Sequence, residues 1–142
     1  MVNKMTIPDW ADVVLNAVSV KAIFGSDLPA LDGVSIHEIV LHRDGPRVLL
    51  RFDLKAFPAR PPAKWVAAGF NRVQVRLLAV GVHGLQITGL QSNIHVDIQI
   101  SMEGSMIRMH GDNGTFRFDV VTESVIVDGI SAYRDDEPVT GC

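Results

Sequence analysis

The chain has 142 residues, of which 47% are hydrophobic, 20% charged and 6% aromatic. This length predicts a single domain over residues 1–142. The apolar content is sufficient for a hydrophobic core, and the composition excludes disordered and collagen-like chains. Thirteen basic and sixteen acidic residues give a net charge of -3, so a nucleic-acid-binding surface would have to be a local patch.

Cysteine usage and the start of the chain bear on the compartment. The only cysteine is Cys142, so an internal disulfide is impossible. The first ten residues do not show the basic and apolar regions of a secretory signal. The chain has no run of about 18 apolar residues for a membrane span. We therefore expect a soluble, cytoplasmic protein.

The first 25 residues predict one or two short helices. Pro8 and Asp9 supply a start signal, and Trp10 begins a series of apolar residues at near-helical spacing. A second apolar segment, residues 20–24, ends at Gly25.

A β-hairpin is predicted around Asp44 and Gly45, because apolar and polar residues alternate after this turn signal. With these two residues as the turn, the expected pairs are Leu41 with Val48, Ile39 with Leu50, Glu38 with Arg51, and His37 with Phe52. His37 is then interpreted as a hydrogen-bonded core histidine without a functional role.

The middle of the chain is predicted to contain a proline-rich loop and two strands. Residues 55–69 contain three prolines and Trp65. We expect Trp65 to hold the loop against the core, and the alternative is that it anchors a partner. Strands are expected over residues 71–82 and 85–90, with a turn at residues 81–84 whose register is ambiguous.

The last third predicts four strands, residues 94–101, 105–112, 115–121 and 124–132. Their expected turns are Glu103 with Gly104, Asn113 with Gly114, and Thr122 with Glu123. These registers separate the side chains into one apolar and one charged face. We therefore predict a mainly β fold, α+β at most: an antiparallel meander, in a half-barrel or a sandwich, with one or two short N-terminal helices. We expect the N-terminal helix, the first hairpin and the middle strands to cover its apolar side.

Motifs for catalysis or cofactor binding are missing from the sequence, so we expect no cofactor. The predicted register places His95 opposite Asp112 and Asp97 opposite His110, a set with the residue types of a metal site. The alternative interpretation is a row of cross-strand ion pairs, with His110 between Asp97 and Arg117. We favour the ion pairs and assign no metal.

Charge is distributed unevenly along the chain. Residues 1–76 hold ten basic and seven acidic side chains, whereas residues 77–142 hold three and nine. An acidic sheet face attracts a basic partner over long range, although net charge also serves solubility.

The order and spacing of several short motifs resemble those of a known family. The chain resembles the immunity protein 50 family of bacterial polymorphic toxin systems, over nearly its whole length, through these residues: Trp10; Ile23, Phe24 and Gly25 before Pro29 and Leu31; His42, Arg43, Asp44, Gly45 and Pro46; Pro61, Pro62, Lys64 and Trp65; Asn71, Val73, Gln74 and Val75; and Ile130, Ser131, Ala132 and Tyr133.

The resemblance implies a mostly β, cytoplasmic, non-enzymatic protein that binds and neutralises a toxin domain. We expect the toxin, for which a basic nuclease is one candidate, to bind the charged face through the following residues: Asp97, His110, Asp112, Arg117, Asp119 and Asp128. No direct contact with nucleic acid or membrane is expected, and monomer and homodimer both stay open. The alternatives are a small-ligand-binding half-barrel with an apolar pocket and, behind it, a metal-dependent enzyme.

Overall fold

A computed structural model describes residues 10–136. The elements are α1 (Trp10–Val13), α2 (Val18–Phe24), β1 (Val34–His42), β2 (Arg47–Asp53), α3 (Ala63–Ala68), β3 (Arg72–Thr88), β4 (Ile94–Val96), β5 (Ile98–Glu103), β6 (Met106–Asp112) and β7 (Arg117–Tyr133). The mainly β prediction is confirmed. The start signal at Pro8 and Asp9 and the cysteine Cys142 lie outside the described residues.

The seven strands form one antiparallel sheet in the order β4-β1-β2-β3-β7-β6-β5, which curls into a half-barrel. Its two outermost strands, β4 and β5, are separated in the chain by Asp97 alone. β4 pairs with β1 and β5 pairs with β6, so this one residue joins the two ends of the curled sheet. The sequence left a half-barrel and a sandwich open, and the structure is a half-barrel.

The β1–β2 hairpin follows the predicted register near its turn. Leu41 pairs with Val48, Ile39 with Leu50, and Glu38 with Arg51. The predicted partner of His37 is wrong, because a β-bulge between Ile36 and Glu38 places Ile36 opposite Phe52. His37 is consequently exposed and lies outside the core.

The predicted turns at residues 81–84 and at Thr122–Glu123 are wrong, because β3 and β7 are each continuous through them. The two 17-residue strands pair with one another along their length, with irregular register at residues 76–77 and 82–84. Gly81 has a φ of +73°, and a Cβ at this position would lie 2.8 Å from Cδ of Glu123. The sequence signals thus mark a shared bend of two paired strands.

The register of the last three strands differs from the prediction by two residues. Gln99, and not Asp97, faces His110 across β5 and β6, and Asp119, and not Arg117, faces it across β6 and β7. The β6–β7 connection is longer than predicted because Asn113 Oδ1 accepts hydrogen bonds from the N–H groups of Thr115 and Phe116, and Phe116 is buried. A two-residue shift keeps every side chain on its face, so the predicted apolar face is still the core face.

The concave side of the sheet is filled by its own apolar side chains and by the N-terminal segment. Trp10, Val14 and Val20 are buried, and Trp10 Nε1 donates to the carbonyl of Pro29 at 2.8 Å. Between the helices, the N–H of Leu15 donates to the carbonyl of Val125. The N-terminal helices cover the sheet as predicted, but the first hairpin and the middle strands are part of the same sheet and do not form a separate cover. A short extended stretch between α1 and α2 pairs with β7 through Leu15 and Ile126.

Candidate functional site

The predicted partner-binding residues begin with a group on β6 and β7. Arg108 donates to both carboxylate oxygens of Asp119, with Nε 2.8 Å from Oδ1, and also reaches Glu103 at 3.3 Å. These hydrogen bonds hold the pKa of Asp119 below its usual value. Asp119 is therefore held in a two-point ion pair with the neighbouring strand β6.

His110 lies beside this pair. Its Nδ1 is 3.9 Å from Oδ2 of Asp119, and within the described chain this nitrogen is buried without a hydrogen-bond partner. Asp112 faces Arg117 across the strands, and its Oδ1 accepts the N–H of Gly114 at 2.9 Å. Four of the six predicted residues thus share one region of the sheet, where opposite charges largely compensate.

The other two predicted residues lie elsewhere. Asp97 stands between β4 and β5, where its Oδ1 accepts the N–H of Gly33 at 2.7 Å. Asp128 is beyond the bend of β7, with a carboxylate oxygen 3.5 Å from Nε of Arg76. The six residues therefore do not form one contiguous acidic patch.

The four residues considered for a metal do not converge. His95 pairs with Ser35 of β1, and Asp97 holds Gly33, whereas His110 and Asp112 lie on β6. Within residues 10–136, no three His, Cys, Asp or Glu side chains come together as an ion would require. The predicted pairings of His95 with Asp112 and of Asp97 with His110 are wrong, because His95 pairs with β1 and the β5–β6 register places Gln99 opposite His110.

A polar cluster around Asp53 was missed by the sequence reasoning. Asp53 Oδ2 accepts the phenol proton of Tyr133 and lies 3.0 Å from Nε2 of His37, while Oδ1 accepts from Nε2 of Gln74 at 3.2 Å. Burial, together with the hydrogen bond to Asp53, raises the pKa of Tyr133 to about 12. A phenol with this pKa stays protonated at neutral pH and acts as a fixed donor.

The sequence signals for this cluster were weak. Asp53 closes the alternating pattern of β2, and Tyr133 follows 80 residues later. Their contact depends on the β2–β3–β7 order, which the predicted meander did not contain.

A cleft of about 460 Å³ opens between β1 and the C-terminal part of β3. Its walls are mainly apolar, with Ile39 and Leu41 on β1 facing Leu85 and Ile87 on β3. Leu41 is 62% exposed at the rim. The position was not predictable because the sequence analysis divided β3 into two strands with a turn at this place.

The proline-rich segment follows the favoured prediction. Trp65, on α3, is partly buried against the core, and its ring centroid lies 6.0 Å from that of Phe57. The tryptophan therefore pins the loop and does not project as an anchor.

Within residues 10–136, no helix has the length and apolar content that crossing a bilayer requires. No curated protein and no solved structure matches this chain. A family model does match: that of immunity protein 50, over residues 16–133, which include all seven strands. A match over most of the chain, on a half-barrel of the predicted class, shows that this chain belongs to the immunity protein 50 family.

Proposed function

We propose that this protein neutralises a cognate bacterial toxin domain by binding to it in the cytoplasm, and that it catalyses no reaction. The family match over residues 16–133 carries the proposal, since immunity is conferred on a producer against a toxin. The mainly apolar cleft beside β1 supports it, because Leu41 and Leu90 are both exposed there and contiguous exposed apolar surface marks contact sites.

Co-expression with the toxin domain encoded by the neighbouring gene tests this function. The tagged protein should restore growth of cells that express the toxin, and the two chains should co-purify as a stable complex. Rescue without a complex would contradict neutralisation by binding. A complex without rescue would show that binding does not inhibit the toxin.

The charged residues have a narrower role in the proposal, which is to steer a basic toxin, such as a nuclease, towards the sheet. Nucleases present basic surfaces to the phosphate backbone, and complementary charges raise association rates at low salt. The acidic balance of residues 77–142 supports this role. Candidate contributors are His110, Asp112, Arg117, Asp119, Asp128 and Asp97.

Reversing two exposed charges tests the steering. Asp112→Lys with Asp128→Lys should slow association about tenfold at low salt and flatten its salt dependence, with little change in dissociation. Asp97 is unsuitable because its carboxylate holds the partly buried Gly33 at the junction of β4 and β5, whereas the N–H that Asp112 accepts belongs to Gly114 in the exposed β6–β7 turn. Asp27→Lys with Asp32→Lys, at two exposed positions between α2 and β1, is the control for an equal change of charge in another place. Equal slowing by the control variant would show that net charge alone matters.

A further inference from the structure

Among the described residues 10–136, strand β1 has an edge without a strand partner at residues 38–42. β2 pairs with β1 as far as His42, whereas β4 covers the opposite side at Val34–Ile36 only. No other described strand pairs with this side. Alternate backbone N–H and C=O groups of residues 38–42 therefore point away from β2 without a strand partner.

The cleft lies directly along this edge. Its opposite wall is the part of β3 beyond Val80, where β3 has left β2 and pairs with β7 alone. Residues 89–93 continue the wall and do not rejoin β1 until Ile94. Gly89 explains their path, because a Cβ there would lie 1.8 Å from the carbonyl oxygen of Thr115. The start of this segment therefore packs closely on the backbone of the β6–β7 connection.

The charges around the cleft are already paired. His37 lies 3.0 Å from Asp53, and Nε of Arg51 donates to Glu38 at 3.0 Å. The remaining wall is apolar except for Gln91 and Ser92. A charged small molecule would find no opposite charge there, so electrostatic complementarity favours an occupant with apolar groups inside the cleft.

The occupant must also satisfy the backbone edge. An extended polypeptide does both, because its N–H and C=O groups pair with the edge and every second side chain enters the cleft. Its outward side chains would extend an apolar row on the convex face, in which Val40 pairs with Leu49, Leu49 with Leu78, and Leu78 with Ile126.

We propose that an extended, apolar segment of the cognate toxin adds as a strand to the free edge of β1 at residues 38–42 and fills the cleft. This proposal rests on the proposed function and names the part of the surface that performs it. Charges steer the encounter, and the added strand holds the complex together.

Hydrogen exchange of the full-length protein, free and in complex with the toxin domain, tests the strand addition. In the complex, amides at alternate positions of residues 38–42 should exchange at least tenfold more slowly. Leu41→Lys should weaken toxin binding about 30-fold or more by placing a charge in the cleft. Val66→Lys is the matched control, because Val66 is 63% exposed on α3 and Leu41 is 62% exposed. It should bind within about twofold of the parent protein.

Each other result overturns the proposal in a recognisable way. A complex that leaves the edge amides unprotected and tolerates Leu41→Lys places the toxin on another surface, and neutralisation by binding still stands. Protection in the free protein together with a dimeric mass assigns the edge to a second copy. If the parent protein binds the hydrophobic dye ANS and Leu41→Lys does not, while both bind the toxin equally well, the cleft is assigned to small apolar ligands. Failure to form any complex overturns the proposed function and this inference together.

Discussion

Two aspartates of the sheet, Asp53 and Asp119, are held in different ways. Asp53 is 7% exposed and bonds to side chains from three other strands, which are His37 on β1, Gln74 on β3 and Tyr133 on β7. Asp119 bonds to one side chain, Arg108 on the adjacent strand β6. One carboxylate joins four strands, and the other supports a single hairpin.

The partners differ as much as the aspartates do. The phenol of Tyr133 and the amide of Gln74 would keep unsatisfied donors in partly buried positions if Asp53 were lost. The guanidinium of Arg108 lies at the surface, where water and Glu103 replace the lost contact. The free-energy cost of losing a carboxylate therefore depends on whether its partners can reach water, more than on the charge of the pair.

The largest expected effect is that of Asp53→Ala. Removing the carboxylate leaves three polar groups without their acceptor, so the free energy of unfolding should fall by about 2–4 kcal/mol. Urea denaturation measures this fall. Asp128→Ala is the control, since Asp128 is exposed and its pair with Arg76 is long, and its effect should stay within about 0.5 kcal/mol. Equal effects of the two variants would remove the distinction between the aspartates.

Tyr133→Phe should have an intermediate effect. Loss of the hydrogen bond to Asp53 should cost about 1–2 kcal/mol at neutral pH. Because the fold raises the pKa of Tyr133 to about 12, the native state keeps its proton where the unfolded chain loses it, near pH 10. The stabilisation is complete below about pH 10 and declines as pH rises from about 10 to 12. The variant should lack this part of the decline.

The pKa itself is directly measurable. Tyr133 is the only tyrosine of the chain, so the ultraviolet absorbance of phenolate reports this residue alone. Titration of the folded protein should have its midpoint well above that of the urea-unfolded protein. Coincident midpoints would show that Asp53 does not hold the phenol in solution.

The sequence predicted what depends on local pattern. The alternation of Val48, Leu50 and Phe52 and the turn at Asp44 and Gly45 placed three pairs of the first hairpin correctly. The bulge at His37 adds one residue without changing the composition of the strand, so the pattern carried no sign of it. Side chains on the C-terminal strands kept their predicted faces because the register error was two residues.

Features that depend on distant pairing were not predictable in the same way. A glycine such as Gly81 is equally compatible with a turn and with a bend, and only its partner Glu123, 42 positions later, decides between them. The Asp53–Tyr133 contact and the cleft beside Leu41 both follow from that decision. The candidate site is therefore a product of strand order, which a single sequence specifies weakly.

Asp119→Asn should have the smallest effect of the three. Arg108 stays hydrated at the surface, so the loss at neutral pH and low salt should be below about 1 kcal/mol and should shrink as salt is added. Since the fold lowers the pKa of Asp119, its contribution is present above about pH 4 and disappears as pH falls through the lowered value. Urea denaturation should therefore show a lower free energy of unfolding for the variant at neutral pH, and equal values for variant and parent at acidic pH. Asp27→Asn, at an exposed position after α2, is the control and should leave the free energy of unfolding at neutral pH within about 0.5 kcal/mol of the parent's. A deficit of Asp119→Asn that persists in acid would mean that the residue supports the hairpin through packing and not through its charge.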